Sequence, residues 1–259
     1  MIVRVLPDVS GLDKEFDYAV PPHLVGAIAV GTMVRVELAH RRVDGWVTTI
    51  DPADAGASDE LLDIVKVRGI GPSEEVLTSA EVIAERFMGR RRSILTMASP
   101  EPLVQVLPSD RRHEGRPGGG AFAELHARGG GLIWCAATQD PVDIFRSLAR
   151  HGSMLVVVPA IRTARTVASA LRGSGFSVAL MPEDWALAAA GADVVIGARS
   201  SAWAPVNRPA SIVIWDEHDE GLTEERVPTW NARDVAIERA QRLGASSFLV
   251  SPAPSPNAL

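Results

Sequence analysis

Two hydrophobic textures divide the chain. Over residues 1–70 the runs "IVRVLP", "FDYAV", "TMVRVEL", "DGWVTTI" and "LDIVKV" are short and β-rich, and Pro, Gly and Asp punctuate them. This pattern predicts a small barrel or curled sheet. "SAEVIAERFMGRRRSILTMA" follows, apolar at Val82, Ile83, Phe87, Ile94 and Leu95. It reads as one or two short helices with Ser79 as the N-cap. From Leu132 the apolar runs become continuous: "GLIWCAA", "SMLVVVPA", "FSVALMP", "ADVVIGA", "SIVIWDE" and "SSFLVSPA". Helix-like segments alternate with them, among them "DPVDIFRSLARHG", "RTARTVASALRGSG" and "VPTWNARDVAIERAQRLG". Strands that are apolar throughout, alternating with helices, mean a parallel sheet covered on both faces.

The fold class expected is therefore α/β, a small β-rich N-terminal domain followed by a parallel-sheet lobe. Between the two stands "PSDRRHEGRPGGG", residues 108–120, with three consecutive glycines, two prolines and many charges. It is the best linker candidate. The expected division is 1–107, a linker over 108–130, and 131–259.

Composition changes this picture little. Net charge is −6, from 26 Lys and Arg against 32 Asp and Glu. That balance argues against a broadly basic, DNA-covering surface and leaves room for a local one. Basic residues cluster at Arg41-Arg42, at Arg90 to Arg92 and at Arg111-Arg112-His113; each cluster alone reads as a solvated face. Lysine occurs only at 14 and 66. Cys135 is the single cysteine, so no internal disulfide and no cysteine-based zinc site is available. With no apolar run of membrane-spanning length and no signal-peptide layout at the first residues, the expected setting is cytoplasmic, with no membrane partner.

The stretch most charged with chemistry is "SIVIWDEHDEG", 211–221, in which a buried strand runs into Asp216, Glu217, His218 and Asp219. In open parallel sheets, ligands sit beyond the carboxyl ends of the strands. Carboxylates at such an end are how nucleotide-driven motors hold Mg²⁺ and the attacking water.

The blocks "LVVVPAI", "VVIGARSSAWAP", "IVIWDEHDEG" and "PTWNARDVAIERA", in that order, resemble the first motor lobe of the primosomal protein N′ (PriA) family of replication-restart helicases. "LDKEFDYAVPPHL", "GTMVRVEL" and "DGWV" resemble the same family's domain that captures the 3′ end of a nascent DNA strand. The resemblance implies a RecA-like lobe after the β-rich domain. It also implies a DNA-end pocket in which Phe16 and Tyr18 supply aromatic faces and Asp17 contacts the terminal nucleotide; read from the residues alone, Phe16 and Tyr18 are equally core aromatics of the β-barrel. Base stacking needs no particular base, which suits a reader of ends. Arg35, Arg41 and Arg42 would add phosphate attraction. Two features depart from the family pattern: Leu38-Ala39 stands where a glycine is usual, and Leu62 where a basic residue is usual.

The motor part departs further. Where the family has a P-loop, Gly-x-x-x-x-Gly-Lys-Thr, this chain has Thr138, Gln139 and Asp140 in place of the glycine-rich turn, then Pro141 for the Lys and Val142 for the Thr. Asp140 would oppose phosphate, and Pro141 has no N–H to donate. Aligning on His218 puts Trp215 where the metal-binding Asp belongs and Asp216 where the catalytic Glu belongs; a one-residue slip restores a leading Asp, but nothing restores the Lys. Asp216, Glu217, His218 and Asp219 then read as a strand-end polar turn whose hydrogen bonds hold the lobe together, and His218 as a packed hydrogen-bonding residue. No catalytic residue and no metal ligand is assigned. The family uses ATP and Mg²⁺; none is expected here. Its winged-helix domain is expected to be missing, and its second lobe and zinc insertion would lie beyond Leu259.

The function these residues imply is binding of forked or 3′-ended DNA in replication restart and primosome assembly, without helicase activity. Other primosome proteins or single-strand binding protein are the protein partners it implies. Two rivals stay open: an ATP-dependent helicase or ATPase with an atypical nucleotide site, and a protein-interaction remnant without DNA binding.

Overall fold

The computed structural model describes residues 1–55, 61–113, 120, 122–256 and 258. The chain divides into two units, Met1–Val106 and Leu107–Leu259. Among the described residues, no helix is long and apolar enough to cross a membrane.

Unit 1 holds strands β1 (Ile2–Pro7), β2 (Phe16–Ala19), β3 (Met33–Leu38), β4 (Arg41–Ile50) and β5 (Lys66–Gly69), then helices α1 (Glu74–Arg86) and α2 (Arg91–Ala98). The strands form one antiparallel sheet in the order β2-β1-β4-β3-β5. The sheet curls closed: the Ala19 N–H donates to the Leu62 carbonyl at 2.9 Å, and the Ile64 N–H to the Ala19 carbonyl at 2.9 Å. One segment therefore pairs with β2 at its start and with β3 at its end. The alternation of each strand delivers one set of side chains inward, and Val3, Val5, Tyr18, Val20, Val34, Val36, Val47 and Ile64 make the core.

Helix α1 begins earlier than the sequence suggests. Ser73, not Ser79, is the N-cap, accepting from the Val76 N–H, and Glu74 and Glu75 favour the positive end of the helix. Ser79 lies buried inside the helix and donates to Glu75 Oε1 at 3.0 Å. The basic run Arg90 to Arg92 is not simply a solvated face. Arg91 reaches Glu15 at 2.8 Å and Asp13 at 3.5 Å, and Arg92 reaches Asp8 at 2.6 Å. These pairs fasten the β1–β2 loop to α2.

Unit 2 holds α3 (Ala123–Ala127), β6 (Gly130–Trp134), α4 (Pro141–Leu148), β7 (Met154–Val157), α5 (Ile161–Gly173), β8 (Val178–Leu180), α6 (Trp185–Ala190), β9 (Val194–Gly197), β10 (Ser211–Trp215), α7 (Ala232–Leu243) and β11 (Ser246–Ser251). All six strands are parallel, in the order β6-β11-β10-β7-β9-β8. This is the α/β architecture expected, consistent with a RecA-like lobe. Strands β7, β9 and β10 are buried along their whole length, which explains their unbroken apolar runs. Phe145 and Leu148 of α4 and Ala164, Val167 and Leu171 of α5 share one core with them.

Part of the stretch read as a linker belongs to unit 2. The Arg111 N–H donates to the Gly191 carbonyl at 3.0 Å, and the His113 N–H to Asp193 Oδ1 at 2.8 Å. A side chain at Gly191, where φ is 137°, would collide with the Asp110 carboxylate. Residues 123–127 are helical. Of the three consecutive glycines, Gly118 and Gly119 lie outside the described residues.

Candidate functional site

The β1–β2 ribbon sets the first constellation. Arg4 stands opposite Asp17 in the register, and Val5 opposite Phe16. Successive side chains of a strand point to opposite faces, so Phe16 and Tyr18 share one face and Asp17 takes the other. Tyr18 goes inward. It is 3% exposed, packs in the core and donates its hydroxyl to the Glu37 carbonyl at 3.0 Å. Burial, and then the Glu37 charge, push its phenol pKa up. Tyr18 thus offers no face to a base, which corrects its assignment as a stacking residue. Phe16 is half-buried against the same core, with the Lys14 ammonium 5.4 Å from its ring centre.

Asp17 takes the outer face and is held there. Arg4 grips it two-pronged, Nε to Oδ1 at 2.7 Å and Nη2 to Oδ2 at 3.0 Å, and reaches Asp54 at 2.9 Å as well. These hydrogen bonds, Asp17's foremost, raise the Arg4 pKa further, and the bond to Arg4 lowers that of Asp54. Each Asp17 oxygen receives one bond from Arg4, which leaves acceptor capacity for a further hydroxyl or base edge. The sequence reading missed Arg4 and Asp54.

The three arginines named with this site separate. Arg35 is spent on Asp44, at 2.7 and 3.0 Å, and Arg68 joins the same carboxylate at 3.3 Å. Burial alone would raise the Asp44 carboxyl, but the two arginines outweigh it and hold its pKa low. Arg41 and Arg42 are exposed at the start of β4. They follow a two-residue hairpin turn in which Ala39 and His40 both have positive φ, 48° and 62°. Leu38-Ala39 is where the family pattern usually has glycine, the residue that takes such a turn without strain. Leu62 is 56% exposed at the segment that closes onto β2.

The second constellation lies at the carboxyl ends of the unit 2 strands. Thr138, Gln139 and Asp140 are exposed in the loop after β6. Asp140 caps α4, its Oδ1 accepting from the Val142 N–H at 2.9 Å, and Pro141 fills the first helical position. The helix N-terminus, where a phosphate would sit, holds this chain's own carboxylate. No lysine lies in unit 2, since both of the chain's lysines precede it.

One strand, β11, separates β6 from β10, and its last residue touches both loops. The Ser251 carbonyl accepts from the Cys135 N–H at 3.2 Å, and its hydroxyl meets His218 Nδ1 at 2.7 Å. Asp216 leaves β10 with φ of 50°. Burial raises its carboxyl pKa, partly opposed by His218; burial, then the Asp216 charge, push the Cys135 thiol up. Glu217 is 1% exposed and accepts from Ser255 N–H at 2.6 Å, Ser255 Oγ at 2.9 Å and Arg233 Nη1 at 3.2 Å. Asp219 Oδ1 accepts from the Gly221 N–H at 2.7 Å. Trp215 packs edge-on against Phe145, ring centres 5.6 Å apart. Among the described residues, no three His, Cys, Asp or Glu side chains converge as a metal-binding group. Ser251, Ser255 and Arg233 went unassigned as partners in the sequence, although Arg233 stands in the "NARD" block.

Comparison with known proteins bears on both units. A family model described as the 3′ DNA-binding domain (3′BD) matches residues 4–100. The chain is 29% identical over 277 residues to the probable replication restart protein PriA of Mycobacterium tuberculosis strain H37Rv, covering 93% of this chain and 42% of that protein. Against the corresponding protein of Mycobacterium leprae it is 27% identical over 280 residues, with 93% and 43% covered. Against the replication restart protein PriA of Bacillus subtilis it is 28% identical over 124 residues, 44% of this chain and 15% of that one. The chain spans less than half the length of these curated relatives.

Proposed function

We propose that this PriA-like chain binds DNA through unit 1, at forks and free 3′ ends, and serves replication restart without driving a motor of its own. The observation that carries the reading is the match of residues 4–100 to a 3′ DNA-binding domain, on a ribbon that presents Asp17 outward. Asp17 accepts a hydrogen bond from the terminal hydroxyl or base edge, and Arg4 fixes the carboxylate while neutralising its charge; Phe16, on the opposite face of β2, packs against the core and braces the ribbon. Arg41 and Arg42 supply sequence-independent phosphate attraction. Arg35, committed to Asp44, orders the sheet instead. In unit 2, Asp140, Pro141 and the lack of lysine support a lobe that does not take up a triphosphate. Primosome proteins or single-strand binding protein are the partners this role implies.

The test is binding to a forked duplex whose 3′ end is free or chemically blocked. Asp17→Ala removes the end-reading acceptor and leaves Arg4 with Asp54 alone, adding net positive charge. Affinity for the free end should fall while affinity for the blocked end holds or rises. Arg41→Ala with Arg42→Ala should weaken both alike and flatten the salt dependence by about 1.8 in log K against log salt, at about 0.9 per phosphate contact. An unchanged free-to-blocked ratio in folded Asp17→Ala protein would remove the end-reading role.

A further inference from the structure

Unit 2 carries a cavity unconnected with either constellation above. It has a volume of about 540 Å³ and is lined by Arg112, His113, Arg150, His151, Arg208, Asp110 and Asp193, among others. Asp193 directly precedes β9, Ser153 directly precedes β7, and Arg208 lies shortly before β10. The cavity thus lies at the amino ends of the strands, the edge opposite the β6–α4 and β10 loops. Its volume falls within the roughly 300–1,000 Å³ of small-molecule sites.

The charges around it are arranged unevenly. Both carboxylates are committed. Asp110 is bound by Arg112 Nε at 2.9 Å and by the Arg112 N–H at 2.8 Å. Asp193 is 5% exposed and accepts from the His113 N–H, from His113 Nδ1 at 2.6 Å and from the Ser177 N–H at 2.9 Å. Arg112 is itself anchored, donating from Nη1 to the Asn207 carbonyl at 3.0 Å. The guanidinium groups of Arg150 and Arg208, by contrast, have no hydrogen-bond or ion-pair partner among the described residues. Arg208 is held with φ of 48°, a conformation a non-glycine residue adopts at a cost, and such positions gather at ligand sites. Three guanidinium groups against two satisfied carboxylates leave a positive concavity in a chain of net charge −6. With its Nδ1 turned to Asp193, His113 keeps Nε2 for a ligand.

We propose that this cavity binds a small organic phosphate, with Arg150 and Arg208 as the phosphate-gripping residues and Arg112 as a fixed third contact. Planar guanidinium forks match phosphate oxygens, and a cavity of this volume holds more than the phosphate alone. The chemistry needed is a phosphomonoester on a body of nucleotide size. It is independent of the DNA-end reading, which concerns unit 1.

The experiment titrates the full chain by calorimetry with three probes: inorganic phosphate, a nucleoside 5′-monophosphate, and the same nucleoside without phosphate. Saturable binding is expected for the monophosphate, weaker binding for inorganic phosphate, and none for the nucleoside. Arg150→Ala with Arg208→Ala, both exposed residues, should weaken the monophosphate by about tenfold or more. Arg162→Ala, an exposed change on α5, should leave it unchanged. Equal binding of nucleoside and monophosphate, no saturation by any probe, or full affinity in the double variant overturns the proposal. Saturation by inorganic phosphate with no gain from the nucleoside body overturns the organic part of it.

Discussion

Removing the Glu217 side chain distinguishes a structural carboxylate from a catalytic one. The residue follows the strand-end Asp216 at the place where a motor would hold its metal and water. Yet its side chain is fully buried and its two oxygens take three hydrogen bonds, two from Ser255 and one from Arg233. Glu217→Ala strands the Arg233 guanidinium. Breaking a buried pair from one side costs about 3–5 kcal/mol. The low end applies, because Arg233 keeps 12% exposure and Asp234 lies 3.8 Å from its Nε. At about 2–4 °C per kcal/mol for a unit of this size, a loss of about 3 kcal/mol lowers Tm by roughly 6–12 °C. Tryptophan fluorescence is the assay, since Trp134, Trp185, Trp203, Trp215 and Trp230 all lie in unit 2 and only Trp46 lies in unit 1. Glu217→Met with Arg233→Met should recover most of the loss, because a matched apolar pair carries no stranded charge. A Tm unchanged or raised in Glu217→Ala would refute the reasoning and return the carboxylate to a functional role.

Ala39→Gly should stabilise unit 1 by about 1 kcal/mol, since Ala39 holds φ of 48° in the hairpin turn; urea unfolding measures it, and a loss of stability would contradict the turn. Asp193 gives a pH dependence: its hydrogen bonds from His113 and Ser177 outweigh burial and depress its folded pKa. That contribution is present above the ordinary Asp range and is lost as pH falls through the lower, folded value. Asp193→Asn should therefore flatten the acid limb of the stability curve, and an unaltered acid limb would count against it. No phosphate release from ATP above a buffer blank is expected, with or without DNA; release that disappears in Asp216→Ala would overturn that expectation.

The strands of both units were legible because each kind of burial leaves its own mark. β10 and β7 face protein on both sides and read as unbroken apolar runs, whereas β1 keeps Arg4 among Val3 and Val5. Helix α6 was not legible: its six residues are too few to show a helical period. The N-cap was misplaced because Ser73 and Ser79 each stand shortly before a glutamate, and the bond Ser73 accepts from the Val76 N–H and the burial of Ser79 tell them apart. For the candidate sites, residue types could be read but partners could not. Asp17 meets Arg4 because the loop between β1 and β2 sets one register, and Glu217 meets Ser255 across 38 positions. A sequence in hand gives no distance of that kind. The basic run at 90–92 shows the same limit, since its carboxylate partners lie more than 75 positions away for Arg91 with Glu15 and Arg92 with Asp8.

The return of residues 62–64 onto Ala19 has a consequence for how unit 1 behaves in company. An open sheet leaves a row of unused amides and carbonyls along its border, and that row recruits strands from other molecules. Here the Ala19 amide and carbonyl are both taken by the same chain, at 2.9 Å each. The border of β2 is therefore closed at Ala19, which shortens the stretch that a foreign strand could pair with. Among the described residues this closure is made by backbone bonds, so substitutions of exposed side chains along the ribbon leave it intact.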